Sequence, residues 1–243
     1  MRQLIAGNWK MHGRLADVAA YAAALGHAPS HVNLLICPPF PLLERFSGAL
    51  DGSAVALGAQ DCHAQAQGAH TGDVSAPMLK EAGASYVILG HSERRENHGE
   101  TNADICAKTA AAMAAGLTPI VCVGETASER EAGAAEDVVR SQLRHSLPRD
   151  FIGVVAYEPV WAIGSGKTPT EADVTAMHGA IRAALVAQLG ATGAGTKILY
   201  GGSVKPGNAA LLLALPEVGG ALVGGASLKA EDLLAIAAGA PGV

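Results

Sequence analysis

Apolar residues cluster in short runs of strand length that begin near Gln3, Val32, Val55, Tyr86, Pro119, Gly153, Lys197 and Ala221. Each run is rich in Val, Ile or Leu and closes near a glycine or a polar residue. The stretches between them carry helix signals. Pro38-Pro39 stands ahead of an apolar segment, Thr101-Asn102 ahead of Ile105 and Met113, and Thr170 ahead of Val174, Met177, Ile181 and Leu185 at helical spacing. Asp173, three residues beyond Thr170, completes the pattern of a capping box. Unbroken apolar runs imply strands buried on both faces, and their alternation with helices implies a parallel sheet. Eight such units predict an α/β fold, a single-domain (β/α)8 barrel over residues 1–243. A doubly wound open sheet would carry the same runs, so counting strands leaves both topologies standing. No linker or shift in composition marks a second domain.

Composition narrows the class. A length of 243 residues suits one α/β barrel. With 49% hydrophobic and 16% charged residues the chain is not disordered, and 4% aromatics points to an interior of small aliphatic side chains. The net charge of -5 argues against nucleic acid or an anionic membrane surface as a partner. It leaves room for a small phosphorylated substrate, which needs only a local site. Cys37, Cys62, Cys106 and Cys122 show no C-x-x-C spacing and read as reduced, mostly buried thiols. The apolar start from Met1 to Gly7 is shorter than a secretory segment, and no stretch is long enough to span a bilayer. A cytoplasmic location with no membrane contact is the expectation.

A barrel presents its chemistry at the carboxyl ends of its strands. Asn8 and Lys10 follow the first run, His91 the fourth, Glu158 the sixth, Ser203 the seventh and Gly224-Gly225 the eighth. Glu158 ends an apolar run and is followed by Pro159 and a glycine-containing loop. The segment reads as a general base beneath a lid that excludes water, with an ordinary strand and turn as the plain alternative. The reaction it suggests is removal of a proton from carbon next to a carbonyl. The developing oxyanion then needs stabilisation, for which His91 and Lys10 are available. Ser92 reads as the N-cap of a short helix whose terminus disfavours an imidazolium, so that His91 acts as a neutral ring. Glu93 orients Asn8 or Lys10 from behind, or else pairs with Arg94 at the surface.

Backbone N–H groups at Gly164, Ser203, Gly224 and Gly225 are suited to phosphate, although each glycine taken singly also fits a tight turn. Gly166-Lys167-Thr168 is not a P-loop, because Trp161 stands where that motif requires glycine. Gly164-x-Gly166 lacks the third glycine of a dinucleotide fingerprint, its place being taken by Pro169. His63, His70, His98, His145 and His178 show no ligand spacing, and no metal is predicted. The stretch from Gln60 to Ser75 is long for a loop and suggests subunit contact.

At these positions the chain resembles the triosephosphate isomerase family. The resemblance runs over essentially the full length and rests on Ala6-Gly7-Asn8-Trp9-Lys10, Gly90-His91-Ser92-Glu93-Arg94-Arg95, Ala156-Tyr157-Glu158-Pro159-Val160-Trp161, Tyr200-Gly201-Gly202-Ser203 and Leu222-Val223-Gly224-Gly225-Ala226-Ser227-Leu228. It implies a TIM barrel that interconverts dihydroxyacetone phosphate and D-glyceraldehyde 3-phosphate through an enediol(ate), in glycolysis and gluconeogenesis. Neither a metal nor an organic cofactor is implied. By resemblance Glu158 is the base, His91 the neutral electrophile, Lys10 the substrate-binding cation and Asn8 its polar neighbour. Gly164, Ser203, Gly224 and Gly225 are similar to the family's phosphate contacts. Pro159 to Thr168 resembles its closing lid, and Gln65 to Ser75 the loop that reaches into the other subunit of a homodimer. Three positions depart from the pattern: Ser165 for a usual Thr, Asp61 where Asn is common, and Gly219-Gly220 for Asp-Gly. A non-catalytic phosphate-binding barrel would share the loops but has no use for the acid, imidazole and ammonium set. An aldolase would need a Schiff-base lysine or metal ligands at strand ends, which the sequence does not offer.

Overall fold

The computed structural model describes residues 2–162 and 168–242. Its strands are β1 (Gln3–Asn8), β2 (Val32–Cys37), β3 (Ala56–Ala59), β4 (Tyr86–Leu89), β5 (Thr118–Val123), β6 (Val154–Tyr157), β7 (Lys197–Tyr200) and β8 (Gly220–Val223). They pair in sequence order, and β1 pairs in parallel with β8, so the sheet closes into a barrel. The open-sheet alternative is thereby set aside. Every strand begins within one residue of the apolar run that predicts it.

The unbroken apolar runs conceal a period of two, which the structure separates into two layers. Leu4, Ala6, Leu35, Cys37, Ile88, Ile120, Cys122, Val154, Ala156, Leu199 and Leu222 meet one another as the filling of the barrel. The alternate residues, among them Ile5, Ile36, Val87, Val121, Val155, Ile198 and Val223, belong to the larger core shared with the surrounding helices. Full burial of one Leu or Ile side chain is worth about 1.5–3 kcal/mol, so both faces of each strand are held. The inward phase also sets the rim. Two residues beyond Ala6 comes Asn8, two beyond Ala156 comes Glu158, and two beyond Leu222 comes Gly224.

The outer helices start where the sequence signals place them. The helix Asn102–Ala114 opens with a capping box between Thr101 and Asp104. Likewise the helix Glu171–Leu189 opens with one between Thr170 and Asp173, the Thr170 amide donating to Asp173 at 2.9 Å. Residues 60–75 form an irregular excursion pinned at its base by pairing of His63 with Ser75. Cys37, Cys62 and Cys122 are buried free thiols and Cys106 is half-buried. Among the described residues no helix is long and apolar enough to cross a membrane.

His178, on the helix Glu171–Leu189, is fully buried; its Nδ1 lies 3.1 Å from the carbonyl oxygen of Glu217. Burial lowers its pKa from 6.5 to about 4, outweighing the opposing pull of the Glu217 carbonyl. The unfolded chain therefore takes up a proton below about pH 6.5 that the folded chain refuses until about pH 4. Stability contributed by the neutral ring is present above that window and lost as pH falls through it, by about 3 kcal/mol in all. Urea unfolding of the wild type and of His178→Asn at neutral pH and near pH 4 should show the smaller acid loss in the variant.

Candidate active site

Glu158 follows β6 directly and is held in a slot made by what its neighbours lack. The two flanking strands reach the same inward position with Gly124 after β5 and Gly201 after β7. A Cβ on Gly124 would stand 1.8 Å from the Glu158 carbonyl oxygen, and one on Gly201 would stand 3.0 Å from Glu158 Cγ. The first would collide with the Glu158 backbone and the second would crowd its side chain. The Glu158 amide donates to the Val123 carbonyl at 2.8 Å, which fixes the backbone beneath the carboxylate.

The carboxylate itself is only 2% exposed. Its Oε2 accepts the Ser92 amide at 2.9 Å and its Oε1 the Ser92 hydroxyl at 3.0 Å. His91 Nε2 lies 3.0 Å from the same Oε1. The sequence reading makes Ser92 an N-cap, and here the structure differs. The helix is Ser92–His98 and the cap is His91, whose Nδ1 accepts the Glu93 amide at 3.2 Å. Ser92 is thereby released to hold Glu158. The Glu93 amide is directed at Nδ1, a contact suited to a ring nitrogen without a proton, and Nε2 is the ring nitrogen that faces the carboxylate.

Lys10 follows Asn8 out of β1 and adopts φ +53°, the left-handed region that non-glycine residues rarely enter. Its conformation is held from both sides. The Lys10 amide donates to Asn8 Oδ1 at 3.0 Å, and its carbonyl accepts Gln60 Nε2 at 2.9 Å. Gln60 also donates to the Cys37 carbonyl at 2.8 Å, tying the turn to the end of β2. The Lys10 ammonium is paired with Glu93. Arg94, the other partner considered for Glu93, turns away to Asp61 and Glu100, where Lys108 completes a cluster of four charges. Asp61, one of the departures noted in the sequence, is thus held by two cations.

These groups share a cavity of about 500 Å³ lined by Asn8, Lys10, His91, Glu158, Ser203, Gly224 and Gly225. The short helix Gly225–Leu228 starts at its edge. Gly164 and Ser165 lie outside the described residues, as does much of the segment that resembles a lid. What is described of that segment is anchored: Arg130 sits 4.5 Å over the Trp161 ring and pairs with buried Glu125, which also accepts the Tyr157 hydroxyl at 3.0 Å. A polarised N–H, an ammonium and a carboxylate around one cavity can remove a proton from carbon and stabilise the oxyanion that results.

Several of these residues escape sequence reasoning. Ser92, Gln60, Gly124, Gly201 and Glu125 act through contacts between distant segments, and only the two glycines have a signal, their place on the inward phase. Away from the cavity, His63, His70 and Asp73 come close enough for their ligand atoms to lie within 4.8 Å of one another, which irregular spacing conceals. The rings there are already engaged. His63 Nδ1 accepts the Gln65 amide at 3.0 Å, and His70 Nε2 meets Gln65 Oε1 at 3.1 Å.

A family model described as Triosephosphate isomerase matches residues 3–240. The chain is 64% identical to the triosephosphate isomerase of Acidiphilium cryptum, with 99% of both chains covered. It is 57% identical to that of Granulibacter bethesdensis, with 98% of both covered. The crystal structure of triosephosphate isomerase from Bartonella henselae is similar at a TM-score of 0.93 and 46% identity, covering 98% of this chain and 99% of the other.

The slot around Glu158 has a direct test. Gly201→Ala should lower kcat by roughly 10- to 10²-fold through misplacement of the carboxylate, with a smaller change in KM. Steady-state kinetics of the folded variant check this, and an unchanged kcat would show that the slot does not set the carboxylate.

Proposed function

The chain belongs to the triosephosphate isomerase family, and from that premise we propose how its cavity divides the isomerisation of triose phosphates among named residues. The enzyme interconverts dihydroxyacetone phosphate and D-glyceraldehyde 3-phosphate. Glu158 takes a proton from the carbon beside the carbonyl. The electrons of the broken C–H bond form a carbon–carbon double bond, and those of the carbonyl π bond move to oxygen. His91 donates its Nε2–H to that oxygen, and the Lys10 ammonium supplies fixed positive charge. The ring then takes the proton of the neighbouring hydroxyl in return, so that this oxygen becomes the new carbonyl as the proton on Glu158 is delivered to the carbon that carried the old one. Asn8 holds Lys10 in its left-handed turn. Glu93 holds its ammonium until substrate offers a competing anion.

Phosphate is assigned to the backbone N–H groups of Ser203, Gly224 and Gly225, joined by Gly164 from the lid. The observation that carries the reading is the meeting of Glu158, His91 and Lys10, from the ends of β6, β4 and β1, at one cavity. In this arrangement the carboxylate is occupied by Ser92 and His91. It must leave Ser92 before it can accept a proton from carbon.

We further propose that the working form is a homodimer in the cytoplasm. The stretch from Gln65 to Ser75 would enter the crevice of about 490 Å³ that Met11, Phe40, Gln60 and Asn97 line on a second copy. Met11 is 93% exposed in the single chain, which supports a covering surface there.

Glu158→Gln should fold normally and lose roughly 10²- to 10⁴-fold in kcat. A coupled assay of triose phosphate interconversion measures this, with circular dichroism as the control for folding. Near-full turnover in the variant would reject Glu158 as the base.

A further inference from the structure

Arg95 does not line the cavity, yet it binds the backbone on both sides of the catalytic pair. Its Nε donates to the Gly90 carbonyl at 2.9 Å and its Nη2 to the Cys122 carbonyl at 3.0 Å. Its Nη1 donates to Asn102 Oδ1 at 2.7 Å, an oxygen that also accepts the Ser146 hydroxyl. The β4–β5 ladder runs as far as Leu89 and Val121. Gly90 and Cys122 are therefore the next positions in register. At Gly90 the chain turns out of the sheet with φ +65°, carrying His91 toward the cavity. Where the ladder ends, the planar fork of Arg95 replaces it as the tie between the strands.

Each end of that tie leads to a reacting group. Gly90 is the residue before His91. Cys122 precedes Val123, whose carbonyl accepts the Glu158 amide. One guanidinium thus connects the backbone of the imidazole to the backbone of the carboxylate. The three bonds go to neutral oxygens rather than to a carboxylate. Burial pulls Arg95 below the ordinary arginine range, as desolvation does to a cation, and the negative Glu158 acts in the opposite direction. A half-buried cation with neutral partners is a poor source of stability compared with well-packed apolar groups. Its geometry, by contrast, is specific: a lysine has no planar fork with which to span two carbonyls.

We propose that Arg95 is a positioning residue of the isomerase reaction, locking the His91 imidazole and the Glu158 carboxylate in register through the Gly90 and Cys122 carbonyls. The inference rests on the isomerase reading above.

The test compares the wild type with Arg95→Ala and Arg95→Lys for kcat, KM and inhibition by inorganic phosphate. Arg95→Ala should lose about 10²-fold in kcat, the scale of an ångström's misplacement, while KM and phosphate inhibition stay within about twofold. Added guanidinium chloride at non-denaturing concentration should recover part of the lost kcat, and an equal concentration of sodium chloride should not. Arg95→Lys keeps the charge without the fork and should lose at least about tenfold in kcat. It decides the matter if Arg95→Ala does not fold. Folded variants with wild-type kcat would overturn the proposal, as would parallel losses in kcat and phosphate binding with no guanidinium rescue. Absence of turnover in the wild type would instead overturn the isomerase reading itself.

Discussion

Closure of the barrel between β1 and β8 is the constraint on which the rest depends. Leu4 to Gly7 pair in parallel with Gly220 to Val223, and the Leu4 amide donates to the Gly219 carbonyl at 3.1 Å. At the seam the two backbones come so close that a Cβ on Gly220 would lie 1.9 Å from the Leu4 carbonyl oxygen. Gly220 also has φ +143°, which a residue with a side chain rarely adopts. In the Gly219-Gly220 pair only the first glycine departs from the family's Asp-Gly pattern, and the second, which the pattern shares, is required by closure. The seam brings the first and last parts of the chain together, so that a Cβ on Gly224 would stand 3.6 Å from Lys10 Cε. Without it the ammonium and the proposed phosphate loop would have no common cavity.

Within that frame the site stores its reactivity by keeping a carboxylate out of water. Burying an ionised carboxylate without partners is prohibitive, and here two donors from Ser92 and one from His91 compensate. As the proposed base, Glu158 has to part from these groups in order to act. In the proposed mechanism substrate binding supplies that exchange, giving His91 a carbonyl oxygen in place of the carboxylate and giving Lys10 an anion in place of Glu93. On that proposal, interactions at the phosphate end act at the reacting carbon, where they raise the rate rather than only the affinity. The strained turn at Lys10, braced by Asn8 and Gln60, serves the same end by fixing the ammonium before substrate arrives.

How much of this is legible in the sequence depends on the range of the interaction. The barrel is legible because strand and helix signals are local, and the inward phase of β1 and β6 carries Asn8 and Glu158 to the rim as a matter of counting. The capping boxes at Thr101 and Thr170 are equally local. His91 is different. Its motif marks it, but serine is the common N-cap, and only the turn at Gly90 together with the demand of Glu158 for donors shows why histidine caps the helix and Ser92 faces the carboxylate. Gln60 and Arg95 are beyond local reading, since each ties itself to a strand distant in sequence, at Cys37 and at Cys122, through a backbone carbonyl of the kind every residue possesses. The grouping of His63, His70 and Asp73 is hidden for a related reason: the loop doubles back through an irregular path, so no fixed spacing announces it.

The central claim is that Glu158 moves a proton between adjacent carbons while His91 and Lys10 stabilise the oxygen. Isomerisation in deuterium oxide tests it most directly, with the product examined by NMR or mass spectrometry. A carboxylic acid formed at Glu158 can exchange its proton with solvent before giving it back, so the product should carry deuterium on the carbon that receives the proton. A product that never gains deuterium there, its hydrogen passed directly from carbon to carbon as hydride, would contradict the account.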